Sequence, residues 1–335
     1  MQRIEPISVP GVCVVGAGRL SSRRIYPYLG AAGGRLTGVC DLDEGKANFI
    51  ATRFGGRPYT DMDRMLEVER PDGVILCTGP AGHERLAKRV LALGLPVYTE
   101  KPPAETAAGA LSVARAAAQA GRLCMTAFKK RYSSAFERAR RWVDELGSNA
   151  PLLSLSVDYA SGAYRGVDEQ HRGFLLDFAI HQIDLVGYLF GDVAEVFSFA
   201  RGANAYAVSL RFRNGAVGTM NLTDGRSFAV PTEEVELTAA GGNFMTIRNS
   251  SFWRVTQDGT PSEWREPTTF ISSGDSGNDT GHFAELVQFI GAIAEGRTTS
   301  PSEVYQAYKS MVLYEAIVRS VQTGALATVT YEELR

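Results

Sequence analysis

Between Gly11 and Ala127, short apolar runs alternate with helical patterns, and this alternation constrains the fold more than any other feature of the chain. The runs are Gly11-Val15, Leu36-Asp41, Gly73-Cys77, Pro96-Thr99 and Leu123-Ala127. Strands covered on both faces by crossover helices have this character, which predicts βαβ units around a parallel sheet. Glu105-Gly121 is rich in alanine, carries its arginine on one side and ends on glycine, as a helix C-terminus does. Residues 1–127 are therefore expected to form a doubly wound α/β domain.

The pattern then changes. After a connecting helix at Ser133-Gly147, the runs Leu152-Ala160, Ala205-Arg213, Ala216-Thr223 and Glu233-Ala239 alternate apolar with polar residues. Turn signals such as Asn214-Gly215 and Gly241-Gly242-Asn243 separate them, and together they predict an antiparallel sheet with one covered face. Helices are expected at Phe174-Phe190, His282-Glu295 and Glu303-Val321. Residues 128–335 read as an α+β domain, with the helix at 303–321 packing back on the first domain.

A length of 335 residues suits about two domains. Lys and Arg total 35 against 37 Asp and Glu, so no basic field draws the chain to nucleic acid or to an anionic membrane, and a small molecule is the expected partner. No apolar run is long enough to span a bilayer. Ser22-Arg23-Arg24-Ile25-Tyr26 superficially matches a twin-arginine export signal, but Pro27, Gly30 and Gly33 follow where an apolar core belongs. Cys13, Cys40, Cys77 and Cys124 lack C-x-x-C spacing and read as reduced, buried thiols of a cytoplasmic protein.

Four places in the first domain carry candidate chemistry. Gly16-Ala17-Gly18-Arg19-Leu20-Ser21 follows a predicted strand and opens a helix, so its glycines can let a pyrophosphate approach backbone N–H groups; Ser21 stands where glycine or alanine is usual. Asp41 ends the second run, close to the spacing expected of the acid that binds an adenosine ribose. Its charge would repel a 2′-phosphate, which favours NAD over NADP. The plainer alternative is that Asp41 and Asp43 cap the helix near Glu44. Thr78-Gly79-Pro80-Ala81-Gly82-His83 lies outside the carboxyl end of the third run, where His83 reads more readily as a structural hydrogen-bonding residue than as a catalyst. Glu100-Lys101-Pro102 brings Lys101 to the same rim, where an ammonium can polarise a substrate oxygen or neutralise a developing alkoxide. A surface Lys–Glu pair is the alternative there.

Asp177 and His181, spaced i, i+4, share one face of the apolar Phe174-Phe190 helix. Imidazole suits general acid–base work near neutral pH, with a carboxylate to hold its tautomer; a core histidine satisfied by an aspartate competes with that reading. Asp184 follows at i+7, but three residues of one helix rarely converge on one ion, so no metal site is expected.

In their order, the glycine loop, Asp41, Glu100-Lys101-Pro102 and Asp177-x-x-x-His181-x-x-Asp184 resemble the glucose-fructose oxidoreductase / inositol dehydrogenase / rhizopine-catabolism family, Gfo/Idh/MocA, over nearly the whole chain. The resemblance implies a Rossmann domain followed by a domain with a large open sheet, and reversible NAD(P)-dependent oxidation of a sugar or cyclic polyol hydroxyl. It implies that Lys101 positions substrate, that Asp177 contacts it and that His181 exchanges the hydroxyl proton. Gly16, Ala17, Gly18, Arg19, Leu20, Asp41, Thr78, His83, Glu100 and Lys101 become the cofactor set, and Lys101, Lys129, Arg131, Tyr159, Asp177 and His181 the substrate set. Lys129 lies in Phe128-Lys129-Lys130-Arg131-Tyr132, where relatives commonly have an aromatic–arginine pattern, and His282 where they often have an aromatic. Loops at Tyr159-Arg165 and Lys129-Tyr132 are expected to set the substrate. A homodimer or homotetramer is also implied. A non-catalytic nucleotide sensor and an NAD-dependent glycosidase remain competing functions on the same fold.

Overall fold

The computed structural model describes residues 9–163, 173–266 and 280–334. The chain divides into two units. The first is Met1–Ala127 with His282–Tyr308 and Leu334–Arg335, and the second is Phe128–Gly281 with Lys309–Glu333.

In the first unit β1 (Gly11–Val15), β2 (Arg35–Cys40), β3 (Arg57–Tyr59), β4 (Gly73–Leu76), β5 (Val97–Thr99) and β6 (Cys124–Thr126) form a parallel sheet in the order β3-β2-β1-β4-β5-β6. Every residue of β1, β4, β5 and β6 is buried, which is why these strands read as unbroken apolar runs. The crossovers contain α1 (Arg19–Arg24), α2 (Tyr26–Leu29), α3 (Glu44–Phe54), α4 (Met62–Glu69), α5 (Pro80–Ala92) and α6 (Ala107–Ala120). Asp43, Asp61 and Thr106 accept N-cap hydrogen bonds, each worth about 1 kcal/mol, and Gly121 ends α6 in the left-handed region at φ 58°. Strand order reverses between β1 and β4, so ligands are expected beyond the carboxyl ends of these strands.

The second unit opens with a 3-10 turn at Lys129–Tyr132 and α7 (Ser134–Leu146). Its sheet comprises β7 (Leu152–Gly162), β8 (Val193–Arg201), β9 (Ala205–Phe212), β10 (Val217–Arg226), β11 (Thr232–Ala239), β12 (Asn243–Arg248), β13 (Phe252–Gln257), β14 (Thr260–Arg265) and β15 (Ala327–Thr328). The order is β14-β13-β12-β11-β7-β10-β9-β8-β15, antiparallel throughout except for the parallel pair β7 and β10. Val208, Leu210, Met220 and Leu222 are buried on one face, while Ser209, Arg211, Thr219 and Asn221 stand exposed on the other. The expected covered and open faces are therefore both present.

Two expectations need correction. The segment Phe174-Phe190 is two helices, α8 (Phe174–Asp177) and α9 (Ile180–Phe190), because the N–H of Ala179 reaches back five residues to Phe174 O at 3.1 Å and widens the turn. Asp177 thus ends one helix and His181 sits in the first turn of the next. The stretch 128–335 is not one unit either, because α10 (His282–Glu295) belongs to the first. Its Phe289 ring packs against Tyr98 at 5.6 Å, and Ile290 and Ile293 fill the space left by the absent side chains of Gly34 and Gly73. The last helix, α11 (Val304–Thr323), is divided: residues through Tyr308 group with the first unit and those from Lys309 with the second.

Candidate functional site

The first unit assembles a cradle at the carboxyl ends of β1, β2, β4 and β5. Gly16 has φ 105°, and a Cβ there would collide with the carbonyl oxygen of Cys77, so only glycine lets the loop pass so close to the end of β4. A Cβ on Gly18 would meet no atom of the described residues within 4 Å, which leaves that backbone open to an approaching ligand. Arg19 and Leu20 follow as exposed residues. Ser21, buried at 1% exposure, donates its hydroxyl proton to Gly16 O at 2.8 Å, and Tyr26 Oη donates to the same carbonyl at 3.0 Å. Two hydroxyls thus brace the loop, and the serine in place of glycine contributes one of them.

Asp41 lies beyond β2 and is bound to this loop. Its carboxylate accepts the Ala17 N–H at 2.7 Å and the Asp43 N–H at 2.9 Å, while the capping of α3 falls to Asp43, which accepts from Lys46 N–H at 3.2 Å. The two acids therefore have separate tasks. Asp41 stays partly exposed at the mouth of the loop, and a carboxylate placed there can accept from ribose hydroxyls. The residues fit a dinucleotide: open backbone at Gly18, a glycine turn at Gly16 and an acid beside both.

Around the end of β4, Thr78 is half-buried and His83 is buried at 1%. His83 Nε2 accepts the Thr78 N–H at 3.1 Å, and its Nδ1 lies 2.9 Å from Pro102 O, so a neutral ring with the proton on Nδ1 satisfies both contacts. Burial pushes the imidazole down to about 4. Both ring nitrogens are committed to backbone, which corrects the expectation of His83 as a cofactor ligand: it ties the turn after β4 to the turn after β5. Glu100 is buried at 8%, and the Lys101 N–H donates to its Oε2 at 3.1 Å. Lys101 is half-buried and is followed by a cis peptide to Pro102.

In the second unit Asp177, Phe178 and His181 are half-buried, whereas Leu176, Ala179, Ile180 and Gln182 beside them are buried. At the α8–α9 junction the aspartate and the histidine thus each keep part of their surface accessible. The Phe128 ring meets the His181 imidazole edge-on at 5.9 Å and 86°. Tyr159 stacks on Phe174 at 6.1 Å, and burial raises its phenol. Tyr164 and Arg165 of the expected substrate loop lie outside the described residues.

Arg131 requires a correction. Its side chain is 4% exposed, and its guanidinium forks onto Asp184 through Nε to Oδ2 at 2.8 Å and Nη2 to Oδ1 at 2.7 Å. Burial opposes the charge, but the adjacent carboxylate outweighs it and holds the guanidinium protonated. The Ser310 hydroxyl donates to Asp184 Oδ1 at 2.7 Å, and the guanidinium lies 4.9 Å from the Tyr188 ring centroid. Arg131 and Asp184 are therefore internal struts, with the Asp184 carboxylate taken up by Arg131 and Ser310. Lys129 on the same turn is half-buried, and His282 is half-buried at the start of α10.

Sequence reading missed one cluster. Glu233 on β11 is 4% exposed and pairs with Lys130 Nζ; its Oε1 accepts from Gln182 Nε2 at 2.7 Å and its Oε2 from Ser250 Oγ at 2.6 Å. Burial alone would raise this carboxyl, but the Lys130 ammonium and the two neutral donors, Ser250 and Gln182, hold it below the usual carboxylate range. The only signal in the sequence was a glutamate at an inward-facing position of an alternating strand.

Residues 11–128 match the family described as "Oxidoreductase family, NAD-binding Rossmann fold", and residues 157–330 match "Oxidoreductase family, C-terminal alpha/beta domain". The chain is 24% identical to an inositol 2-dehydrogenase of Paenarthrobacter aurescens, covering 95% of this chain and 97% of that protein. It is 25% identical to a D-apiose dehydrogenase of Paraburkholderia graminis over 74% of this chain and 70% of that one. Among solved structures, a levoglucosan dehydrogenase in complex with NADH and L-sorbose shares the fold at a TM-score of 0.83 and 19% identity, covering 96% of this chain and 99% of that one.

Proposed function

Because the chain belongs to the Gfo/Idh/MocA oxidoreductase family, we propose that it transfers hydride between a nicotinamide dinucleotide and a secondary hydroxyl or keto group of a sugar, sugar derivative or cyclic polyol. Relatives named as inositol and D-apiose dehydrogenases support that substrate class. The observation that carries the reading is the Asp41 carboxylate hydrogen-bonded to Ala17 N–H of the glycine loop, an acid and an open backbone held side by side at the switch point of a parallel sheet.

When bound, the dinucleotide supplies the hydride acceptor or donor. The residues of this chain have the following tasks. Gly16, Ala17, Gly18, Arg19 and Leu20 line the pyrophosphate approach, and Thr78 and Glu100 border it. Asp41 accepts from the adenosine ribose and disfavours a 2′-phosphate, so NAD is preferred over NADP. Lys101 neutralises charge developing on the substrate oxygen. Asp177 orients substrate, and His181 removes the hydroxyl proton during oxidation and returns it during reduction. Lys129 and Tyr159 border the substrate.

We place the protein in the cytoplasm, which its four free thiols support, and no helix among the described residues is long and apolar enough to cross a membrane. The open face of the second sheet, where Ser156, Ser209, Thr219 and the 52%-exposed Val217 stand, supports a homodimer or homotetramer. A dehydrogenation screen over inositols, aldoses, amino sugars and keto sugars with both cofactors tests the activity. Net NADH with a free sugar supports a dehydrogenase; release of an aglycone without net NADH indicates a glycosidase, and no turnover together with tight NADH binding indicates a sensor.

A further inference from the structure

Three elements of the second unit carry residues assigned above to the substrate: β7 carries Tyr159, α9 carries His181, and the 3-10 turn carries Lys129. One buried residue is linked to all three, by strand register to the first and by its side chain to the other two. Glu233 sits directly opposite Tyr159 in the register of β11 and β7. Its carboxylate accepts from Gln182, the residue after His181, at 2.7 Å, and it pairs with Lys130, the residue after Lys129. Ser250 closes the remaining side: its hydroxyl lies 2.6 Å from Glu233 Oε2 and 3.1 Å from Lys130 Nζ. The strand itself is pinned by a reciprocal pair, Glu233 N–H to Asn249 Oδ1 at 3.1 Å and Asn249 N–H to Glu233 O at 3.0 Å.

The chemistry of the cluster goes beyond packing. Burying one carboxylate and one ammonium carries a large desolvation cost for each ion before their attraction is counted, whereas apolar residues of equal volume would fill the space at no such cost. Of the three partners of Glu233, Lys130 and Gln182 are sequence neighbours of residues assigned to the reaction. A shift of Glu233 would reach Lys129 and His181 through one peptide bond each. The edge-on Phe128 ring touches His181 from the start of the same turn, so the imidazole is bounded by elements that the carboxylate joins.

We infer that Glu233 is a positioning residue for the proposed dehydrogenation: through Gln182 and Lys130 it holds α9 and the 3-10 turn in register, and so fixes where His181 and Lys129 meet the substrate. This inference rests on the functional reading given above. Glu233 does not touch the reacting atoms, and a charged carboxylate is required because only it satisfies the ammonium and two neutral donors together.

The test compares wild type, Glu233→Gln and Lys130→Arg on the substrate found in the screen. Glu233→Gln keeps the shape and removes the charge; it is expected to lower kcat at least 10-fold, to leave NADH affinity by fluorescence titration unchanged, and to displace the His181 ring resonances in proton–nitrogen NMR spectra, assigned by their loss in His181→Ala. Lys130→Arg keeps the charge and is expected to retain kcat within 3-fold. If Glu233→Gln does not fold, the neutral pair Lys130→Met/Glu233→Gln replaces it, with the same expected loss. A variant with lowered melting temperature but wild-type kcat and unmoved His181 resonances overturns the proposal, since Glu233 would then support structure only. If wild type turns over no sugar or polyol, the functional reading fails, and the His181 resonances still decide whether Glu233 positions the imidazole.

Discussion

Replacing Arg131 by methionine keeps most of the buried volume and deletes the guanidinium that satisfies Asp184. In the native unit the carboxylate side chain has 0% exposure and accepts three hydrogen bonds, two from Arg131 and one from Ser310. After the substitution one hydroxyl remains for a full negative charge out of water. Breaking a buried pair in this way costs about 3–5 kcal/mol, and the loss of the contact with Tyr188 favours the upper half of that range. A value near 4 kcal/mol is almost three decades in the folding equilibrium. With a urea slope of about 2–3 kcal/mol/M, the midpoint falls by roughly 1.3–2 M. All three tryptophans, Trp142, Trp253 and Trp264, lie in the second unit, so their fluorescence reports the unfolding of the unit that contains the pair. The double variant Arg131→Met/Asp184→Leu removes both charges and is expected to recover most of the loss. A single variant whose midpoint stays at the wild-type value, with a raised KM for the sugar, would refute the strut assignment and return Arg131 to the substrate.

Four further outcomes are expected. Lys101→Met, Asp177→Asn and His181→Ala each lower kcat by roughly 100-fold or more while NADH affinity by fluorescence stays near wild type, and near-normal turnover in His181→Ala would remove it from the proton-transfer step. Fluorescence titration finds NAD(H) bound more tightly than NADP(H), and Asp41→Ser narrows the gap; equal affinities in wild type contradict the role of Asp41. His83 has a folded pKa near 4, below its unfolded value, so the unfolded state binds the extra proton and stability is lost as pH falls from about 6.5 toward 4. Between pH 7 and pH 5 this amounts to roughly 2 kcal/mol, which calorimetry should find reduced in His83→Gln, since glutamine can donate and accept without titrating. Light scattering across a dilution series gives a multiple of 36.3 kDa, and a constant monomer mass would count against assembly through the open sheet face.

How much of this was legible in the sequence differed between the two units for a physical reason. Strands buried on both faces leave a contiguous record, and β1, β2, β4, β5 and β6 were read within a residue or two. β3 escaped because Arg57-Pro58-Tyr59 is a three-residue edge strand with no fully buried residue. In the second sheet β8 was missed because it inverts the alternation: Ser198 is buried, its backbone N–H donating to Ser320 Oγ, while Phe199 is 69% exposed. β12 to β14 are six-residue strands, too short for their alternation to stand out. For the site, glycine turns and strand-end acids speak through local spacing, so Gly16, Gly18 and Asp41 were visible. The ion-pair partners of Arg131 and Glu233 were not, because they lie 53 and 103 residues away, and no local pattern encodes which buried charge meets which. The kink at Phe178-Ala179 was equally silent, since Leu, Phe, Ala and Ile suit a continuous helix.

The return of α10 to the first unit affects how that unit is made. The surface it covers, formed by Gly34, Gly73 and Tyr98, leaves the ribosome with the first hundred residues, while Phe289, Ile290 and Ile293 follow only after the whole stretch Phe128–Gly281. At about 5–20 residues per second, that interval lasts roughly 8–30 seconds, long compared with the collapse of a nascent domain. The parallel sheet must wait through it with an apolar face uncovered, so a chain truncated at Ala127 should engage chaperones or aggregate. The covering helix acts as a late latch, and the first unit is complete only when nearly the whole polypeptide has been synthesised.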